Sequence, residues 1–403
     1  MKTNCGLLLF FLFIMHFALQ AQKVNSELWG KQGEFWDKNK IPDFTNAGYK
    51  NGKEPIPTYP TSINLKKLGA VGDGITDNTE VLRKAIQQCK EFGTIYIPEG
   101  NYLLSDTIVI SRKNICIKGE GAAKTKLFFT KGLEELYPNY NTRFKNQSSW
   151  SWSGAMLLVK GNISGIGIEK LQIQFPDSLW NGHDFHERAY NAIGFDKGAN
   201  NCWVRDVVLK GCDLGFWLST TSTNITLENW VLDFSEKRAA QKVSGHHGTN
   251  IYGGYNLLQN FRIVGRFHHD LSVESTKSVF NVFRNGEGLD LCIDHHNHDQ
   301  RNNLFTNLNA GLGNRLFFSG GNEKPNGICF NEVFWNITAK KNMPYCDQYD
   351  EAEKQSKNNI CIGILTAKPS ILNDANGNWF ETIDPNLLYP KDLYKAQMEL
   401  LKK

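Results

Sequence analysis

Three histidine doublets stand out in this chain. "SGHHG" carries His246 and His247, "RFHHD" carries His268 and His269, and "IDHHNH" carries His295 and His296, together six of the ten histidines. Imidazole titrates near neutral pH and can take or give a proton during a reaction. Arg266, Arg284, Arg301 and Arg315 fall in the same stretch, and a guanidinium fork matches the two oxygens of a carboxylate. Tyr252 and Tyr255 add hydroxyls suited to donating a proton. Stacked imidazoles repel when charged and pack poorly in a core, so repeated doublets point to chemistry ahead of structure. The expected catalytic residues are His246, His247, His268, His269 and Arg266. The expected substrate contacts are Arg284, His295, His296, Arg315 and Tyr252.

Histidines at close range also bind metals. No HExxH occurs, and neighbouring residues on a strand alternate sides, so no metal site is expected. Proton transfer needs no cofactor, and calcium stays open.

The doublets need elements to hold them. From His246 to His268 is 22 residues (268 − 246), and from His268 to His295 is 27 (295 − 268). Strand-like runs return at similar intervals: "IGIEKLQI", "CWVRDVVL", "ITLENWVL", "NLLQNFRI", "NLFTNLNA" and "CFNEVFWNI". A recurrent unit made only of strand and turn indicates a solenoid, and a β-sandwich would not produce such look-alike segments. The prediction is an all-β chain: a parallel β-helix in which residues one coil apart lie roughly 4.8 Å apart. The doublets should then form a ladder on one face. In "FHHDLSVE", Leu271 and Val273 should point inward and His268, Asp270, Ser272 and Glu274 outward. Asn-rich turns such as "NNCW" and "RNNL" should form stacking ladders.

Upstream, "GITDNTEVLRKAIQQCKEFG" has Asp77 and Glu80 at capping-box spacing, an apolar stripe at helical period, and Gly93 to end it. Residues 22–60 read as an extended lead-in, 61–370 as the β-helix, and 371–403 as a tail with a short helix. His183, His186, Trp180 and the aromatic "SSWSWSG" are further candidates for the wall of a cleft.

The stretch "LGAVGDGITDNTEVLRKAI…GTIYIPEGNYLLSDTIVI…ICIKGEG" resembles the start of the pectate-lyase-like right-handed β-helix superfamily, a resemblance that covers residues 63 to 121 and that the coil-like segments extend to about 340. The resemblance implies that fold, with an N-terminal capping helix, and a surface that binds an anionic polysaccharide or oligosaccharide. "SGHHG" only partly echoes the Gly-His-Gly of polygalacturonases, no Arg-Ile-Lys is present, and "CDLGF" offers one aspartate where two would be needed. The histidines and arginines themselves, without a matched carboxylate pair, point to β-elimination on a uronate. A base removes the C5 proton, the C4 oxygen leaves with help from an acid, and a cation neutralises the carboxylate. The leaving group is either a sugar or, at a terminal uronate, hydroxide. The alternative is an inverting hydrolase, which needs two carboxylates about 6.5–9.5 Å apart. Asp270, Glu274, Asp290 and Asp294 are its candidates.

The first residues, "MKTNCGLLLFFLFIMHFALQAQ", read as a secretory signal cleaved after Ala21, giving a periplasmic or secreted protein with no later membrane span. Removing Lys2 lowers the net charge from +4 to +3, too mild for nucleic-acid binding. Cys202 and Cys292 lie in apolar strand patterns and should be buried thiols, whereas Cys346 and Cys361 flank a polar stretch and could bridge.

Overall fold

The computed structural model describes residues 23–137, 154–180, 188–296, 300–320, 329–343, 356–365 and 376–402. The expected secretory signal, His183, His186, most of "SSWSWSG", and Cys346 of the expected bridge lie outside them.

The chain is a right-handed parallel β-helix. A seven-stranded sheet stacks β1 (Ile108–Ile110), β2 (Leu157–Lys160), β3 (Asn191–Asp196), β4 (Leu214–Leu218), β5 (Gly245–Ile251), β6 (Phe267–Val273) and β7 (Ile293–His295). A larger sixteen-stranded sheet forms the rest of the wall. It includes five of the six look-alike runs as Trp203–Lys210, Thr226–Asp233, Leu257–Ile263, Leu304–Asn309 and Val333–Thr338. The sixth run is split into Gly167–Glu169 and Gln172–Gln174, with Lys170 between them in the left-handed region.

The same left-handed turn explains why each coil bends. Asp206, Asn229, Asn260, Asn285, Asn307 and Asn336 all have φ between 50° and 58°, a conformation that asparagine tolerates better than branched residues. Each side chain donates to the one below: Asn229 to Asp206 at 2.9 Å, Asn260 to Asn229 at 3.1 Å, and Asn285 to Asn260 at 3.2 Å. A second, buried ladder joins Asn256, Asn281 and Asn303, and ends on Glu332. The "RNNL" turn belongs to this second ladder. Inside the coil, Phe283, Phe305 and Phe334 stack at 4.8 and 5.4 Å between ring centroids.

Helix α1 (Thr79–Gln88) buries Leu82, Ala85 and Ile86 against the first coils. Its N-cap is Asn78, and the Asp77 carboxylate accepts from the Thr79 N–H, so the expected cap is displaced by one residue. The helix stops at Gln88, and Gly93 instead opens the strand Gly93–Ile97.

The lead-in does not lie loose. Trp29, Ile41, Phe44 and Ala47 share a second hydrophobic cluster with Val282, Leu304, Trp335 and helix α2 (Leu393–Leu400). N-terminal segment and C-terminal helix thus cover the outer face of the larger sheet together. Cys202 and Cys292 are buried thiols as expected, and burial pushes Cys202 up to about 12. No helix among the described residues is long and apolar enough to cross a membrane.

Candidate functional site

Strands β5, β6 and β7 bring five imidazoles together. Register pairs His247 with His269 on the adjacent strand, and their ring centroids are 4.9 Å apart. His246 lies 5.5 Å from both His268 and His269. His296 completes the group, 5.0 Å from His269 and 5.9 Å from His247.

Alternation fails at the first doublet. His246 and His247 turn to the same side, with Nδ1 atoms 2.6 Å apart. Both backbone amides donate to the Asp213 carbonyl, which twists the strand entry. Asp213 is in turn held by Arg238, fully buried, which donates to its carboxylate at 2.8 Å and to the carbonyls of Gly211, Cys212 and Ser244. Asp213 is the aspartate of "CDLGF", but nothing in "KRAA" marks an arginine that will be buried.

The third doublet is not stacked on the second. His295 pairs with Val273, not with either histidine of β6. Its ring enters the core, 5.9 Å from Phe305 and 6.1 Å from Phe334, with Nε2 3.7 Å from Glu332. The expected substrate contact at His295 is therefore corrected to a core residue. His296, one step past the strand end, turns back into the cluster.

Leu271 and Val273 do enter the core. The opposite face is also buried, because the segment from Arg315 to Gly320 crosses it. Ser319 Oγ accepts from the His295 amide, and the Gly320 amide donates to Asp294 at 2.7 Å. A Cβ on Gly320 would lie 2.3 Å from His269 Cε1, so only glycine lets this segment approach so closely.

Two carboxylates face the imidazoles. Asp294 Oδ2 lies 3.0 Å from His296 Nδ1 and 3.3 Å from His269 Nδ1, and accepts from Ser272 Oγ at 2.9 Å. Glu274 Oε1 lies 2.8 Å from His247 Nε2, at ion-pair distance although not aligned as a hydrogen bond, and its other oxygen accepts from the Tyr252 hydroxyl at 2.5 Å. Burial alone would raise both acids, but the imidazoles outweigh it: Asp294 is held far below the usual carboxylate range and Glu274 below it. Burial would lower His296, yet Asp294 and Glu274 raise it to about 9. Burial and the neighbouring rings drive His246 well down, and His269 falls to about 3 through burial despite Asp294. At neutral pH this is an ion pair, His296 with Asp294, beside neutral His246 and His269.

The arginines separate. Arg315 donates from Nε to the Asp290 carbonyl and from one terminal nitrogen to the His268 carbonyl, and it pairs with Asp270 through the other. Every nitrogen group serves the wall, which corrects its expected role as a substrate contact. Arg284 projects from the other sheet and pairs with Asp392 beside α2, so it too leaves the predicted site. Arg301 lies over the Phe330 ring. Arg266 alone of the four keeps a loose partner, with Nε 3.7 Å from Asp290 and its side chain 26% exposed. Tyr255 stacks on Phe280, away from the cluster. Trp180, 4% exposed, packs edge-on against His268 instead of offering an open face to a sugar.

His268 and Arg266, two residues before it, are both half-buried, so these two form the accessible rim. His246, His247 and His269 lie beneath, and His296 is half-buried beside them.

Residues 62–260 match the family model described as rhamnogalacturonase A/epimerase, pectate lyase-like. A putative rhamnogalacturonase D of Aspergillus niger is 24% identical over 266 residues, covering 57% of this chain and 59% of that protein. The mannuronan C5-epimerase AlgE5 of Azotobacter vinelandii is 31% identical over 233 residues, 54% of this chain and 20% of its own length. Among solved structures, an exopolygalacturonase from Thermotoga maritima superposes with a TM-score of 0.47 at 15% identity, over 81% of this chain and 85% of that one. The stacked coils and their two sheets show the pectate-lyase-like parallel β-helix fold, and the family model matches just under half of the chain.

Proposed function

We propose that the protein is an exported carbon–oxygen lyase acting by β-elimination on uronate-containing glycans, cleaving a glycosidic bond or dehydrating a terminal uronate. One observation carries the reading: the site is rich in imidazole, and neither of its facing carboxylates keeps a proton to donate. Asp294 and Glu274 are both held ionised. An inverting hydrolase needs one carboxyl group protonated and within reach of the leaving oxygen. Burial does raise Asp270, but that carboxyl is locked beneath Arg315 and accepts from the amides of Phe267 and Cys292.

In this reading Arg266 pairs with the sugar carboxylate, which lowers the cost of carbanion character at C5. His268, at the rim, is the group that exchanges a proton with substrate. His246 backs it, and Glu274 and Tyr252 hold His247 in place. The matched relatives support a glycan substrate, since they are named for rhamnogalacturonan and mannuronan chemistry. The epimerase is named for change at C5, the carbon from which elimination takes its proton.

The test is a panel of uronate polymers and their oligomers incubated with the purified protein. Elimination makes a C4–C5 double bond conjugated with the carboxylate, and its ultraviolet absorbance should appear. New reducing ends without that absorbance would reject the reading in favour of hydrolysis.

A further inference from the structure

We propose that His247, His269, His296 and Asp294 bind one divalent transition-metal ion of the zinc class. Ligand atoms from these four buried residues all lie within 4.8 Å of one another. A tetrahedral ion with metal–ligand distances of about 2.0–2.1 Å places its donors roughly 3.3 Å apart. Two edges already match, since Asp294 Oδ2 is 3.0 Å from His296 Nδ1 and 3.3 Å from His269 Nδ1. The remaining contraction is a matter of side-chain rotation.

The donor set selects the ion. Three imidazole nitrogens and one carboxylate oxygen suit zinc, cobalt or nickel. Calcium and magnesium prefer shells made wholly of oxygen. The calcium left open by the sequence therefore does not fit this pocket, and the proposed site departs from the expectation of no metal. That expectation treated each doublet as one strand with alternating sides, whereas the four donors come from three coils.

Two further features are those of a built site. His247 Nε2 and His269 Nδ1 are buried with no aligned hydrogen bond, although they lie 2.8 Å from Glu274 and 3.3 Å from Asp294. Asp294 is meanwhile oriented from outside the cluster, by Ser272 Oγ at 2.9 Å and the Gly320 amide at 2.7 Å. Outer hydrogen bonds of this kind hold metal ligands in position. Gly320 is also where a side chain would collide with His269 and His296.

The ion would place positive charge directly beneath the His268 and Arg266 rim. Only this role, not the binding itself, rests on the elimination reading.

The experiment uses full-length protein carrying no histidine tag, stripped with a chelator and titrated with Zn2+ alone by calorimetry, with Co2+ as a spectroscopic probe. One equivalent of Zn2+ per chain is expected, and Co2+ should give the intense visible bands of a tetrahedral centre. His269→Ala and His296→Ala should lose the stoichiometric ion, and His268→Ala should keep it. Ser272→Ala, which removes only the hydroxyl holding Asp294, should weaken binding about 10–100-fold. Should a ligand variant fail to fold, the wild-type Co2+ spectrum and Ser272→Ala still decide. No binding to the stripped protein, or binding unchanged in the folded ligand variants, overturns the site. Zinc bound without unsaturated product would sink the elimination reading and leave the metal site standing. Unsaturated product from the stripped protein, with no zinc binding, would do the reverse.

Discussion

His295 and Val273 are direct partners across neighbouring strands. That one pairing separates the two histidines of the third doublet, sending His295 into the phenylalanine stack and leaving His296 with the cluster. His295→Ala should therefore lower stability by about 2–4 kcal/mol, as for other large-to-small core changes, while folded protein keeps its turnover rate. Urea unfolding paired with initial rates checks this. Full stability with lost turnover would return His295 to the site.

His268→Ala should show the opposite pattern. The ring is half-buried at the rim, so the stability change should stay within about 0.5 kcal/mol while kcat falls at least 100-fold, in keeping with the usual worth of a general base. Steady-state kinetics on any accepted substrate measures it, and an unaltered kcat would remove His268 from proton transfer.

Arg238 and Asp213 form a fully buried pair 2.8 Å apart beneath the first doublet. Arg238→Met should cost about 3–5 kcal/mol, because it strands the Asp213 charge in the core. The double variant Arg238→Met/Asp213→Asn should recover much of that loss. Chemical denaturation of the three proteins provides the comparison, and an additive double variant would contradict a coupled pair.

The corner ladder offers a test of backbone cause. Asn260 and Asn285 adopt φ of 54° and 50°. Alanine at either position should destabilise by about 1–2 kcal/mol through the left-handed penalty, and glycine should cost less because it lacks Cβ. Equal losses for both replacements would place the effect in the side-chain hydrogen bonds alone.

Much of this architecture was legible before the structure. Period-two runs recurring at coil length mark the strands, and His247 does stack on His269 as their 22-residue spacing implies. The asparagines that interrupt the runs are the corners themselves, since their short amide tolerates φ near 55°. The rest was hidden for physical reasons. Turn length between coils is not encoded in the strand pattern, so the third doublet could not be registered. Arg284 finds Asp392, 108 residues away, and no local signal announces such a partner. Glu274 and Asp294 were visible only as carboxylates suited to hydrolysis. Their commitment to the imidazoles depends on the segment that folds over them from Arg315 to Gly320.

The central claim is that bonds break here by elimination, and the masses of products from a defined uronate oligosaccharide test it most directly. Elimination at a glycosidic bond predicts fragments whose masses sum to that of the substrate. Dehydration of a terminal uronate predicts one product lighter by a single water. Fragments that sum to the substrate plus one water would contradict the account.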